Sequence, residues 1–277
     1  MTANSVMLPP DPPLSPDEAA IEATRAPLLD HLAELRTRMI WSIAAIFVGF
    51  GVCFAFAPWI YQILLMPYEQ AVLAVKGAAA LKDTTMIYTG PLEFFLVKVK
   101  LALFGGIFVS FPVIAFHVYR FIAPGLYTHE RKAFTPFLIL SPLLFLLGAA
   151  MAYYLVMPML MQFSLRQEIP GSAGGAAVSY LGKVADYTGT FTMLILGFGV
   201  SFQLPVVQAL LGRAGLVTSK QMMDAGRYAI VGVFVIAAVV TPPDVFSQIA
   251  LGVPMVLLYY LGVWIVKLGE GKNQDAE

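Results

Sequence analysis

Charge is what this chain has least of. Only 12% of its 277 residues are Asp, Glu, Lys or Arg, about half the share of a soluble domain, while 59% are apolar. That excludes a soluble globular protein. Lys plus Arg and Asp plus Glu number 17 each, so no net positive field exists to hold nucleic acid. The one cysteine, Cys53, lies in an apolar run and reads as a small buried hydrophobe with no internal disulfide partner. The three histidines, His31, His117 and His129, are far apart, and none has a second His at zinc-helix spacing. No Gly-x-x-x-x-Gly-Lys loop and no Gly-x-Ser-x-Gly elbow occurs, so neither nucleotide hydrolysis nor nucleophilic hydrolysis is supported. The reading is not an enzyme, with no cofactor and no metal. The first 24 residues hold five prolines and no Lys or Arg. They lack the basic start of a signal peptide, and residues 1–26 read as a disordered Pro-rich tail.

Six apolar runs remain: about 39–57, 99–116, 134–157, 191–211, 228–240 and 249–266. The first four approach the ~20 residues that cross ~30 Å of hydrocarbon. The fifth has only 13 residues and the sixth carries Pro254; both are expected to be short helices of one hairpin. With the N-terminus inside, inner segments hold eleven Lys and Arg and outer loops four (Lys76, Lys82, Arg166 and Lys183), which puts both ends in the cytoplasm. The expectation is an all-α integral membrane protein with six transmembrane helices over 27–268, N-in and C-in, its fifth and sixth helices short. A cytoplasmic tail follows over 269–277. The long connections 58–98 and 158–190 keep their apolar residues and are expected to pack as an outer cap.

Few polar features are left to carry function. Residues 27–38, Pro-Leu-Leu-Asp-His-Leu-Ala-Glu-Leu-Arg-Thr-Arg, suit a helix that starts at Pro27. Its Glu34 and Arg38 stand at i and i+4 and attract. An amphipathic helix on the membrane surface explains this pattern as readily as a ligand site does. A polar hairpin at 121–132 presents Phe121 and Glu130, and a helix dipole alone would favour Glu130. Gln203 lies in the fourth run between Ser201 and Pro205, where an amide commonly glues helices together. Asp244, in Thr241-Pro-Pro-Asp244, suits an N-cap of the sixth helix. No acid falls in the central part of any run, which disfavours an ion-coupled transporter.

Taken together, His31–Arg36, Phe121–Arg131, Val200–Pro205 and Thr241–Gln248 resemble the TatC family, the large subunit of the twin-arginine protein translocase. The likeness covers about 27–268. It implies a bacterial inner-membrane receptor that binds Arg-Arg signal peptides of folded precursor proteins and nucleates their export, driven by the proton-motive force. It implies that Glu34, Leu35, Arg36, Phe121 and Glu130 form the signal-binding surface, Glu34 and Glu130 as a two-carboxylate clamp for arginines. It further implies a role for Pro67 and Asp244 in the outer loops, and oligomers with TatA-like and TatB-like single-span partners. Gln203, with Ser201 and Pro205, would meet a partner helix; the family often has Glu at that position, and a glutamine cannot titrate there. A secondary transporter for a small solute and a purely structural assembly subunit stay open as alternatives.

Overall fold

A chain segment inside hydrocarbon must satisfy its own backbone, so apolar runs of this length fold as helices. The computed structural model describes residues 16–122, 131–169, 178–241 and 245–274. Among these the regular elements are helical, and only isolated bridges (Ile87 with Lys183, Ile169 with Val178) pair extended segments. The helices are α1 (Pro16–Ala55), α2 (Ala57–Lys76), α3 (Glu93–Ile122), α4 (Arg131–Met151), α5 (Met157–Arg166), α6 (Val184–Ser201), α7 (Leu204–Arg213), α8 (Ser219–Asp224), α9 (Gly226–Val240) and α10 (Val245–Gln274). A short 3₁₀ turn, Ala78–Asp83, follows α2.

Among the described residues, five stretches are long and apolar enough to cross a membrane: Leu32–Ala55, Glu93–Phe121, Leu138–Arg166, Val184–Arg213 and Ser247–Glu270. The third joins α4 to α5 through one widened turn at Ala152–Val156, and the fourth joins α6 to α7 through a break at Phe202–Gln203. Each irregularity lies just ahead of a proline, Pro158 or Pro205, whose missing N–H interrupts the ladder. Their outer faces are apolar: Phe47, Val48 and Val239 are each about 70% exposed.

The fifth helix is short, as expected. Its 15 residues span ~22 Å, well under the ~30 Å of hydrocarbon. The sixth is not short, and here the sequence expectation is corrected: α10 has 30 residues. It runs past Lys267 because Glu270 finds partners in the preceding loop, accepting from both the backbone N–H and the hydroxyl of Ser219. The first helix also begins earlier than Pro27, at Pro16. Residues 17–26 are rich in Glu and Ala, which are strong helix formers.

Close packing in a membrane depends on small residues. Where α1 crosses α3, a Cβ on Gly106 would lie 2.7 Å from the Phe50 nitrogen and 3.0 Å from the Ile46 oxygen. Only glycine allows that approach. Ser110 on α3 adds a hydrogen bond to the Ala45 carbonyl at 2.7 Å. At a second crossing, α4 on α6, a Cβ on Gly199 would lie 2.5 Å from the Phe145 ring, and the same ring stacks on Phe111 of α3 with centroids 3.8 Å apart.

The cap at the opposite end from the chain's termini contains a helix that the sequence reading treated as loop. Pro67 sits inside α2 and cannot donate to the carbonyl four residues back, that of Ile63. The Tyr153 hydroxyl donates to that carbonyl at 2.7 Å, and the Tyr187 hydroxyl donates to the next one, Leu64, at 2.5 Å. Tyr153, from α5's approach, thus stands in for the backbone bond that Pro67 lacks, and Tyr187 adds a second tie from α6. The cap is tied further by Lys76, which donates to Glu168 at 2.8 Å, and by the Tyr180 N–H, which donates to the same carboxylate at 2.8 Å. The hydrogen bond from Lys76, with that of Tyr180, holds the Glu168 carboxyl below the usual carboxylate range.

Candidate functional site

The α1–α3 crossing at Gly106 fixes how the two helices diverge toward the end that carries the chain's termini. There they leave a groove of about 620 Å³ lined by Ala33, Glu34, Thr37, Arg38 and Trp41 of α1 and by His117 and Arg120 of α3. Arg38 donates to Glu34 Oε1 at 2.7 Å, with the two side chains 20% and 31% exposed. This is the i, i+4 attraction expected from the sequence. Trp41 is 61% exposed at the groove. The Arg120 guanidinium lies 5.9 Å from the Phe116 ring centroid, and the His117 ring meets Phe116 edge-on at 5.6 Å. His117 Nδ1 is buried with no hydrogen-bond partner among the described residues.

A partly desolvated carboxylate beside an indole face can grip a guanidinium in two ways. The carboxylate takes two parallel N–H bonds, and the ring stacks on the planar cation. Arg38 holds one oxygen of that carboxylate, so an incoming guanidinium meets Oε2 first or exchanges with Arg38. Among the described residues, no group of three or more His, Cys, Asp or Glu side chains could hold a metal ion.

The other expected residues fall in several places. Leu35 is half-buried and Arg36 exposed, both beside Glu34 on α1. Phe121 is half-buried on the last turn of α3, one turn beyond His117. Glu130 and Asp244 lie outside the described residues. Gln203 does not line the groove; it stands where α6 breaks into α7. Its Oε1 accepts the Ser141 hydroxyl at 2.6 Å, and its Nε2 donates to the Ser141 carbonyl at 2.9 Å. Ser201 and Pro205 are buried beside it. An apolar cavity of about 290 Å³ opens at this point, with Gln203 and Ser141 among its lining. Pro67 is buried in α2. Sequence reasoning missed Trp41, His117 and Arg120 as groove residues. The adjacent Gly105-Gly106 pair in the second run was the available signal, because it marks where a neighbouring helix must approach.

A family model described as Sec-independent protein translocase protein (TatC) matches residues 30–254. The chain belongs to the TatC family. The TatC protein of Magnetococcus marinus is 37% identical over 253 residues, 91% of this chain and 88% of that protein. That of Aquifex aeolicus is 38% identical over 251 residues, covering 91% and 99%. The Escherichia coli protein is 36% identical over 258 residues, covering 93% and 94%. A crystal structure of the twin arginine translocase receptor TatC superposes with a TM-score of 0.71 at 36% identity, over 86% of this chain and 98% of that one. The chain is therefore a Sec-independent translocase component, a multi-pass inner-membrane transport protein and not an enzyme.

Proposed function

We propose that this chain is the precursor receptor of its translocase. It binds the Arg-Arg signal peptides of folded precursor proteins at the α1–α3 groove and nucleates their export, which the proton-motive force drives. The observation that supports this most is Glu34, a carboxylate paired with Arg38 in a groove that Trp41 also lines. Lysine is a point donor and arginine a planar fork, so such a site prefers arginine. The eleven-to-four distribution of Lys and Arg favours an orientation with both chain ends, and with them the groove, in the cytoplasm. Glu130, ten residues beyond Arg120 of the groove, would supply the second carboxylate, and Phe121, Leu35 and Arg36 its surroundings. Single-span TatA-like and TatB-like subunits would dock beside α9 and α10, with Gln203 as one contact. That contact requires the Gln203–Ser141 pair to open or to accept a third group.

The test is site-specific crosslinking to peptides that carry Arg-Arg or Lys-Lys, with Glu34→Ala and Glu130→Ala measured singly. A charged hydrogen bond contributes ~1.5–3 kcal/mol, so each variant should lose about ten- to a hundredfold in Arg-Arg labelling. Lys-Lys labelling should change less. Equal labelling of both peptides, unaffected by either variant, refutes the receptor reading.

A further inference from the structure

The cap holds a cavity that precursor recognition does not use. It has a volume of about 300 Å³. One stripe of α2 supplies Tyr61, Leu65, Tyr68 and Glu69, which recur at i, i+4, i+7 and i+8 and so share a face. Opposite stand Met86, Tyr88 and Phe94. Tyr61 meets Phe94 edge-on at 5.6 Å, and Tyr88 lies 6.2 Å from Phe94. The walls are pinned in place. The Ile87 N–H donates to Gly182 at 2.9 Å, the Val184 N–H donates to Ile87 at 3.0 Å, and the Tyr61 hydroxyl reaches Met86 Sδ at 3.5 Å.

Among the described side chains no Lys or Arg lines this cavity, and the charged one is Glu69. The nearby Glu93 carboxylate accepts from Thr89 and Gly90 at Oε2, and its Oε1 faces Lys183 Nζ at 4.0 Å. Glu69 is exposed, with no ion pair or hydrogen bond among the described residues. Several π faces and one unpaired carboxylate select a cation, and the faces favour a cation that carries alkyl groups. The Phe94 ring already meets one cation, with Lys98 Nζ 4.9 Å from its centroid. The surface alongside is an aromatic and apolar rim, with Trp59 63%, Tyr88 61%, Leu92 66% and Phe95 53% exposed. Rims of this composition sit at the level of lipid headgroups.

We propose that this cavity binds the alkylammonium headgroup of a phospholipid at the membrane surface, the ammonium among Tyr61, Tyr88 and Phe94 against Glu69. Lys98, beside Phe94, is the nearest cation for the phosphate. The full chain in maltoside micelles tests this by native mass spectrometry and by thermal unfolding. The probes are short-chain phosphatidylcholine, phosphatidylethanolamine and phosphatidylglycerol, with tetramethylammonium chloride against sodium chloride at equal ionic strength. The two ammonium lipids should be retained and raise the Tm, the glycerol lipid should not, and tetramethylammonium should compete. Glu69→Gln and Tyr88→Leu, both at exposed positions, should each lower retention about five- to tenfold while the lipid-free Tm stays the same. A response to tetramethylammonium without lipid selectivity keeps the cation site but overturns its lipid source. Equal retention of all three lipids by the native chain and Glu69→Gln, with no response to tetramethylammonium, overturns the proposal.

Discussion

Replacing Tyr153 by Phe removes one hydroxyl and leaves the ring. Ile63 then loses the donor that reaches its carbonyl at 2.7 Å, and Pro67 has no N–H to take its place. The site is only part-buried, so the cost falls between an ordinary hydrogen bond, ~0.5–1.5 kcal/mol, and an orphaned buried acceptor, ~1–3 kcal/mol. About 1.5 kcal/mol is expected. In a Pro67→Ala background the restored N–H bonds Ile63 along the helix, and the same Tyr153→Phe change should cost only about 0.5 kcal/mol. The two substitutions are therefore coupled by about 1 kcal/mol. The assay is a double-mutant cycle of four proteins, unfolded reversibly by SDS titration in mixed micelles and followed by tyrosine and tryptophan fluorescence. If the two changes add to within ~0.3 kcal/mol, Tyr153 is not standing in for the bond that Pro67 lacks, and the account of α2 is wrong.

Gly106→Leu should separate α1 from α3, at a cost of ~1–3 kcal/mol or more. Arg-Arg peptide labelling should fall with it although Glu34 is intact; a stable variant with normal labelling would show that the crossing does not set the groove. Gln203→Leu leaves Ser141 without its cross-helix partner and should cost ~0.6–1.7 kcal/mol in the same SDS titration. Its crosslinking to a single-span partner reports separately on docking. For Glu168, the depressed native carboxyl means that its tie to Lys76 adds stability at neutral pH, and that this stability is lost as the pH falls from the usual carboxylate range through the lowered native value. Lys76→Met should therefore shrink the difference in Tm between pH 7 and pH 4; an unchanged difference would place the acid sensitivity elsewhere.

Much of the fold was legible because apolar runs in this chain have nowhere to go but into lipid. Four of the five long spans and the brevity of α9 follow from run length alone, and the Glu34–Arg38 pair follows from helical spacing. What escaped was set by contacts distant in sequence. Pro67 marked residues 58–98 as loop, yet α2 survives as a helix because Tyr153 and Tyr187 donate to its carbonyls from 90 and 123 residues away. The length of α10 was hidden for the same reason, since Glu270 and Ser219 are 51 residues apart. The groove was half visible. Its acid could be named from α1, but His117 and Arg120 join it only through the register of the α1–α3 crossing, which rests on a missing Cβ at Gly106.

The shortness of α9 also bears on how this protein is made. A 15-residue apolar helix is too short to be released into lipid as a span in its own right. It must wait at the insertion machinery until α10, which begins at Val245, has been synthesised and can enter with it as a pair. The last two helices thus form one unit of biogenesis. Truncation within α10 should leave α9 outside the bilayer and exposed to proteolysis, even though every residue of α9 is present.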